Sequence, residues 1–429
     1  MKNYKEFFKD KKITVMGLGL LGRGIGDAIF LAQCGARLTI TDLKTKEQLK
    51  ESLKKLQKYK NIKYVLGKHR LEDFQNCDMV LKAAGVPLDS IYIREAKKHN
   101  IPVEMSASLF AKLSGIPMIG VTGTRGKSTV THLIAHILKS AGKKVILGGN
   151  IRGVSNLQLL KDVKGAAVAV FELDSWQLQG FGESKISPHV AVFTNFLSDH
   201  MNYYKNSFKN YFSDKSYIYK FQNKNDVLVV GPNMKGKIKN IKSKIINADI
   251  KNVLKPVNLR GRHNLENVAC VIAVARVLKV PEKIIKKVVE NFKALAGRME
   301  LVKRIHGVEI YNDTNSTTPD ATIAALNSFK NKVILIMGGM DKNLDVSDLN
   351  KILSKKTKKI LLTPGSGSDK IKGVKIKKVA DLKEAVAKSI KEAKKGDVVL
   401  FSPGFASFNM FNNEYDRGEK FMKIVQNLK

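Results

Sequence analysis

Cysteine is scarce: the 429 residues hold three, Cys34, Cys77 and Cys270, widely spaced and without a CxxC pair. An odd and scattered set excludes a disulfide framework and offers no zinc-ligand spacing, so all three read as packing residues. Long apolar runs are missing as well. No stretch approaches the ~18 uncharged apolar residues of a membrane span, and the opening MKNYKEFFKDKK leads into a strand, not into the apolar region of a signal peptide. The expected compartment is the cytoplasm. Neither a short-period repeat nor a low-complexity tract is present. Acidic residues number 38 against 76 basic ones, a formal net charge of +38, yet only twelve of the basic residues are arginine. Lysines spread along the whole chain, in runs such as KGKIKNIKSK (235–244) and KKTKK (355–359), read as solvated faces. No nucleic-acid partner is expected, although a basic field favours phosphorylated substrates.

What is present is a globular composition, 43% hydrophobic and 27% charged, in a chain long enough for two or three domains. Strand-like and helix-like segments alternate: KITVMGLG (12–19), a helix near 22–34, RLTITD (37–42), KYVLG (63–67) and DMVLKAAG (78–85). A second set begins at IPMIGVTGT (116–124) and continues through KKVILGG (143–149), AAVAVFEL (166–173) and HVAVFTN (189–195), with helix around 262–295. A third contains VEIYNDT (308–314), KVILIMGG (332–339), KILLTPG (359–365) and DVVLFSPG (397–404). Such alternation predicts an α/β protein of three domains built on parallel sheets with crossover helices, the first and last Rossmann-like, and the glycine-rich turn GVTGTRGKST (120–129) makes the middle one a P-loop-type ATPase. Boundaries are expected at 1–105, 106–296 and 297–429, with NFKALAGRMELV (291–302) as a junction.

The sharpest local signal is Gly120-Val121-Thr122-Gly123-Thr124-Arg125-Gly126-Lys127-Ser128-Thr129, between a strand and a helix. It departs from strict P-loop spacing. Its physics is the same: glycines admit phosphate oxygens to backbone N–H groups, the helix N-terminus favours negative charge, Lys127 reaches the phosphates and Ser128 can bind Mg²⁺. Gly17-Leu18-Gly19-Leu20-Leu21-Gly22 fits the dinucleotide GxGxxG pattern, with Asp42 at the end of the next strand. Taken alone it says dehydrogenase, but any pyrophosphate can use such a turn, and with phosphoryl chemistry downstream UDP is the better ligand. Glu172 or Asp174 follows an apolar strand where a Walker-B-like acid holds Mg²⁺, and His200 ends the next one.

The order of these segments resembles that of the Mur ligase family. GTRGKST is similar to the family's GTNGKS/T loop, ELDSWQL to its ELSSFQL-type strand, and FTNFLSDHMNYY to its segment ending in an Asp-His pair; GRHNLENVACVIAVA (261–275), LAGRMELV (295–302), YNDTNSTTPDATIAAL (311–326), GGMDKNLD (338–345) and SPGFASFNMFNNEYDRG (402–418) extend the match over nearly the whole chain. GLGLLGRG and the terminal ASFxMF stretch look most like the D-glutamate-adding branch. That resemblance implies an ATP-dependent, amide-forming ligase of peptidoglycan synthesis, a monomer acting on UDP-N-acetylmuramoyl-L-alanine and D-glutamate. It implies that Gly123, Thr124, Gly126, Lys127, Ser128, Thr129, Asn264, Asn267, Arg298 and Asp313 bind ATP, and that Ser128, Glu172, His200 and Lys215 bind two magnesium ions, with Lys215 carbamylated. Lys127, His200 and Lys215 would be the catalytic set. Gly19, Leu20, Leu21 and Asp42 would hold the uridine end, Asn150 the muramoyl-alanine portion, and Lys342, Ser407 and Phe408 the glutamate.

Three positions depart from the family's pattern. Asn315 stands where a lysine is usual, so that Lys342 would partly replace it; Lys82-Ala83-Ala84-Gly85 replaces a Ser-Pro-Gly loop; Arg125 replaces Asn. The rivals are family members that add another amino acid or extend folate with glutamate, a nucleotide-binding regulator without ligase activity, and an NAD-dependent dehydrogenase. The last leaves GTRGKST unexplained.

Overall fold

Hydrophobic runs such as MIGVT, VAVFE and VILIM can be buried only if both faces of their sheet are covered, and that is how the chain folds. The computed structural model describes residues 3–428 apart from 20, 21, 240, 252, 373, 374 and 409. Its strands form three sheets. The first contains β1 (Lys12–Met16), β2 (Arg37–Asp42), β3 (Ile62–Leu66), β4 (Met79–Lys82) and β5 (Val103–Glu104), in the order β3-β2-β1-β4-β5 and all parallel. The second contains β6 (Met118–Thr122), β7 (Val145–Gly149), β8 (Val168–Glu172), β9 (Val190–Phe193), β10 (Val227–Val230) and β11 (Lys244–Asn247), in the order β11-β10-β9-β6-β8-β7 and again parallel. The third runs β12-β13-β17-β14-β15-β16, from β12 (Glu300–Ile305), β13 (Val308–Asn312), β14 (Val333–Met337), β15 (Thr357–Leu362), β16 (Ile376–Lys378) and β17 (Val398–Phe401); only the β12–β13 pair is antiparallel.

Alternation along each strand sends side chains to opposite faces. Val170 and Val192 join the core beneath helices Lys127–Ser140, Arg262–Val277 and Glu282–Asn291, while their neighbours Phe171 and Phe193 face helices Ser106–Ser114 and Ser175–Glu183. Phe110 stacks on Phe171 with centroids 4.7 Å apart. The core on that face continues into the first sheet through Phe30, Leu31 and Leu38. Cys34 and Cys270 are buried in these cores and Cys77 is half-buried, all three as free thiols.

Several elements escaped the sequence reading. β5, β10, β11, β12 and β16 are short or edge strands whose apolar pattern is too brief to stand out. The lysines of the first run are exposed, Lys244 among them although it opens β11, while KKTKK straddles the end of helix Ser347–Lys356 and the start of β15, where Thr357 is buried. Residues 292–299 form no regular element. No helix among the described residues is long and apolar enough to cross a membrane.

Helix Arg23–Gln33 docks on the segment after β7. Asp27, fully buried, accepts from Ser155 Oγ at 2.6 Å and from the Leu157 N–H at 3.3 Å, and Gln158 Nε2 donates to the Gly26 carbonyl at 3.1 Å. A side chain on Gly26 would stand 2.5 Å from Ser155 Cβ. Gly26→Ala is therefore expected to destabilise the folded chain by about 1–3 kcal/mol through overpacking, read as a lower urea midpoint; an unchanged midpoint would show that this seam yields freely.

Candidate active site

In open α/β sheets, ligands gather beyond the C-terminal ends of strands where the strand order reverses. β6 is such a strand, flanked by β8 and β9, and from it springs the glycine-rich loop that enters helix Lys127–Ser140. The helix begins at Gly126 (φ 83°) without a side-chain cap, which leaves its first-turn N–H groups for an anion. Gly123 has φ 141°, and a Cβ on it would collide with Thr194. The loop is pinned from β9: Thr124 N–H donates to the Asn195 carbonyl (3.0 Å), Arg125 N–H to Asn195 Oδ1 (2.9 Å), and Thr194 Oγ1 to the Arg125 carbonyl (2.6 Å).

Two lysines converge on this loop. Lys127 Nζ donates to the carbonyls of Gly123 (3.1 Å) and Thr124 (3.0 Å); Lys215 Nζ, from helix Phe208–Ser216, donates to the same Gly123 carbonyl (2.9 Å) and lies 4.9 Å from the centroid of the Tyr211 ring. Lys215 is 2% exposed. Burial, reinforced by the neighbouring charge of Lys127, holds its ammonium well below the usual lysine range. Burial lowers Lys127 as well, and Glu172 opposes that shift.

Ser128 Oγ donates to Glu172 Oε2 at 2.6 Å and accepts from Arg298 Nη2 at 2.9 Å, so a residue of the 292–299 segment reaches the phosphate loop. His200 has a left-handed backbone (φ 56°), packs on the Trp176 ring at 4.7 Å, and lies 3.7 Å from Asp199 through Nε2. Burial pushes its imidazole down to about 4, which leaves it neutral and able to donate a lone pair. Among the described residues no group of three or more His, Cys, Asp or Glu side chains could hold a metal ion. The hydroxyl–carboxylate pair of Ser128 and Glu172 nevertheless suits a hard cation whose remaining oxygens come from phosphates.

Asn264 and Asn267 stand on helix Arg262–Val277. Asn267 Nδ2 donates to Asn264 Oδ1 (3.2 Å), Asn264 Nδ2 to the Arg260 carbonyl (2.7 Å), and Asn267 lies against Gly126 so closely that a side chain there has no room. Both line a cavity of about 170 Å³ together with Arg125, Thr129, Arg298 and Asp313. Asp313, after β13, is buried; its carboxylate accepts from the Met299 N–H (3.0 Å), Ser402 Oγ (2.9 Å) and Ser316. Burial raises it to about 6.

The remaining candidates are dispersed. Asp42 Oδ2 accepts from the N–H groups of Leu18 (2.8 Å) and Gly19 (3.4 Å), and Oδ1 from that of Lys44 (2.9 Å), so this acid closes the first glycine turn. Gly19 lines a second cavity, of about 200 Å³, whose lining includes neither Asp42 nor Asn150. Asn150 Oδ1 accepts from Arg23. Leu20 and Leu21 lie outside the described residues. Lys342, after β14, reaches Thr317 Oγ1 (3.4 Å) and Asp199 (3.8 Å). Asn315 turns instead to the Ala296 carbonyl (3.2 Å). Ser407 is buried after β17 while Phe408 is 65% exposed.

Two residues missed by the sequence reading as site members are Asp199 and Arg125. Asp199 is buried, and although burial alone would raise it, Arg125 (3.4 Å), His200 and Lys342 hold it well below the usual carboxylate range. Arg125 also donates to Thr318, the N-cap of helix Pro319–Asn327 after β13. The only signal in the sequence was their position, one beside His200 and one inside the glycine loop.

Comparison with known proteins fits this geometry. The chain matches the Mur ligase MurD-like N-terminal domain over 11–104, the Mur ligase middle domain over 121–255 and the Mur ligase glutamate ligase domain over 297–405. It is 36% identical to the UDP-N-acetylmuramoylalanine--D-glutamate ligase of Borreliella burgdorferi (strain ZS7), covering 98% of each chain, and 33% identical to that of Roseiflexus sp. (strain RS-1), covering 97% of this chain and 98% of the other. Among solved structures, its fold resembles the UDP-N-acetylmuramate-alanine ligase of Thermotoga maritima (TM-score 0.61, 19% identity, 98% and 100% of the two chains) and the MurF ligase of the same organism (TM-score 0.61, 18% identity, 98% and 96%). With three matching domains in sequence along it and relatives aligned nearly end to end, the chain belongs to the Mur ligase family of ATP-dependent, amide-forming ligases.

Proposed function

We propose that the chain uses ATP to join D-glutamate to UDP-N-acetylmuramoyl-L-alanine through an acyl phosphate, a step of peptidoglycan precursor synthesis. The observation that carries this reading is the convergence of Lys127, Lys215 and the Ser128–Glu172 pair on one loop, reached by Arg298, with Lys342 beside Asp199, the partner of the loop's Arg125. Full-length relatives named UDP-N-acetylmuramoylalanine--D-glutamate ligase support the choice of substrates.

A carboxylate resists attack by an amine because its oxygen is a poor leaving group. Transfer of the γ-phosphoryl group to the alanyl carboxylate turns that oxygen into part of a phosphate leaving group. The amine of D-glutamate then attacks the acyl carbon, loses a proton, and the tetrahedral intermediate collapses to amide and inorganic phosphate. The protein mainly positions and neutralises. Lys127 and the first-turn N–H groups of its helix offset the charge of the β- and γ-phosphates. Asn264, Asn267, Arg298 and Asp313 bind the nucleotide across the junction. Magnesium, two ions in this reading, would add positive charge on the phosphates, with Ser128, Glu172 and His200 as protein ligands.

A protonated lysine has no lone pair to offer a cation. The depressed ammonium of Lys215 favours the free amine, whose nitrogen can bond to the carbon of CO2 and release a proton to water, giving a carbamate with carboxylate-like oxygens. Lys342, already beside Asp199 and Thr317, supplies the cation for a glutamate carboxylate where Asn315 does not. The same reading makes the enzyme a cytoplasmic monomer.

Phosphate release measured with UDP-N-acetylmuramoyl-L-alanine across a panel of amino acids tests the whole proposal. Strong stimulation by D-glutamate is expected, and an equal response to another amino acid would reassign the substrate. Lys127→Ala is expected to lower turnover by about 10²–10³-fold or more; near-normal product formation would remove the loop from the chemistry. For Lys215→Ala a comparable loss is expected, partly restored by small carboxylic acids such as formate or acetate, and full activity without them would rule out the carbamate.

A further inference from the structure

Lys82, in the segment that replaces the Ser-Pro-Gly loop, has no role in the reading above. It ends β4 and is 3% exposed. The order β3-β2-β1-β4-β5 places β1 and β4 side by side at the reversal of the sheet, where ligands enter an open parallel sheet. A cavity of about 200 Å³ lies there, lined by Gly17, Gly19, Arg23, Lys82, Ser106 and Gln177 among others.

A glycine turn at this position ordinarily meets phosphate with its own amides. Here two of them are occupied, since the N–H groups of Leu18 and Gly19 both donate to Asp42 Oδ2. That carboxylate also adds negative charge beside the turn. Of the charged side chains lining the cavity, Arg23 and Lys82 are cationic and Asp27 is an acid that burial raises to about 6, so the two cations are the side chains that can meet an anionic ligand. Arg23 is anchored on Asn150. Lys82 Nζ donates firmly to the Val86 carbonyl at 2.7 Å and at longer range to those of Ala83 (3.3 Å) and Ala84 (3.5 Å). Among the described residues no carboxylate forms an ion pair with it. Burial lowers this ammonium to about 8, which still leaves it protonated at neutral pH; Asp174, Asp214 and Glu183 act on it without pairing, and a buried cation whose hydrogen bonds go only to carbonyl oxygens gains from an arriving anion.

We propose that Lys82, together with Arg23, holds the diphosphate of the nucleotide-linked substrate, in place of the turn amides that Asp42 occupies. The bond to Val86 keeps the side chain in position while phosphate oxygens replace the two long contacts. This inference rests on the reading that the substrate is a UDP-sugar.

Calorimetry on the full chain with UDP and with uridine separates the diphosphate from the nucleoside. Wild type is expected to bind UDP at least about tenfold tighter than uridine; Lys82→Met loses about tenfold for UDP and nothing for uridine, and Lys82→Arg stays within about threefold of wild type. Arg23→Met, at a half-buried position, gives an independent arm with the same selective loss. Undiminished UDP affinity in Lys82→Met, an equal loss of UDP and uridine, or an indifferent Arg23→Met overturns the proposal, the second because it marks Lys82 as a staple of its own loop. A wild type that binds neither compound overturns the substrate reading itself, whereas a UDP-binding wild type with an indifferent Lys82→Met overturns only the diphosphate clamp.

Discussion

Two lysine nitrogens, those of half-buried Lys127 and buried Lys215, donate to one carbonyl oxygen, that of Gly123, and much of the central sheet is arranged around that convergence. A buried cation costs several kcal/mol of lost hydration unless anions or dipoles replace the water. Here the replacements are partial: Glu172 at the end of β8 and Asp174 just after it, Asp199 beyond β9, and the carbonyls of a loop that only glycine at 123 and 126 allows to come so close. A site left electrostatically unfinished in this way is suited to polyphosphate. It also explains why Lys215 sits so far below the ordinary lysine range, which is the condition for carbamate chemistry.

Closure of the site depends on the seams between sheets, and arginine is concentrated there. The chain has twelve arginines among 76 basic residues. Five of them bridge segments of different sheets: Arg23 to Asn150, Arg125 to Thr318, Arg152 to Glu419, Arg260 to Glu309 and Arg298 to Ser128. Arg152 and Arg260 also lie over the rings of Tyr415 and Tyr311, at 4.9 and 5.4 Å from the centroids. A planar guanidinium can pair and stack at once, which a lysine ammonium cannot. The two ion pairs, Arg152–Glu419 and Arg260–Glu309, are exposed enough to be weak individually, while the other three contacts are part-buried hydrogen bonds.

Three sheets were legible because their inner strands carry unbroken apolar runs, and the phosphate loop because its glycines and Lys127 serve local geometry. Edge strands β11 and β16 were not legible: KIIN and IKK are too short to show an alternating or continuous apolar pattern. Among site residues, Lys127, Ser128 and Glu172 could be placed from strand-to-loop position alone. Lys215 could be singled out only through family resemblance, since in a chain so rich in lysine nothing local separates it from its neighbours. Asp199 and Arg125 were visible as residues but not as partners, because their pairing joins segments 74 positions apart.

The sequence by itself determined the fold class, the order of three α/β units and the anion-binding turn, because each follows from short-range constraints: side-chain period, glycine dihedrals and the exposed amides of a helix start. Tertiary structure alone decided which charges face one another. Only folding brought Arg298 onto Ser128, gave the amides of Leu18 and Gly19 to Asp42, and buried Lys82 and Lys215, which among the described residues form no ion pair. Hydration and Coulomb energies depend on distance and burial in space, and neither is encoded at any single position of the chain.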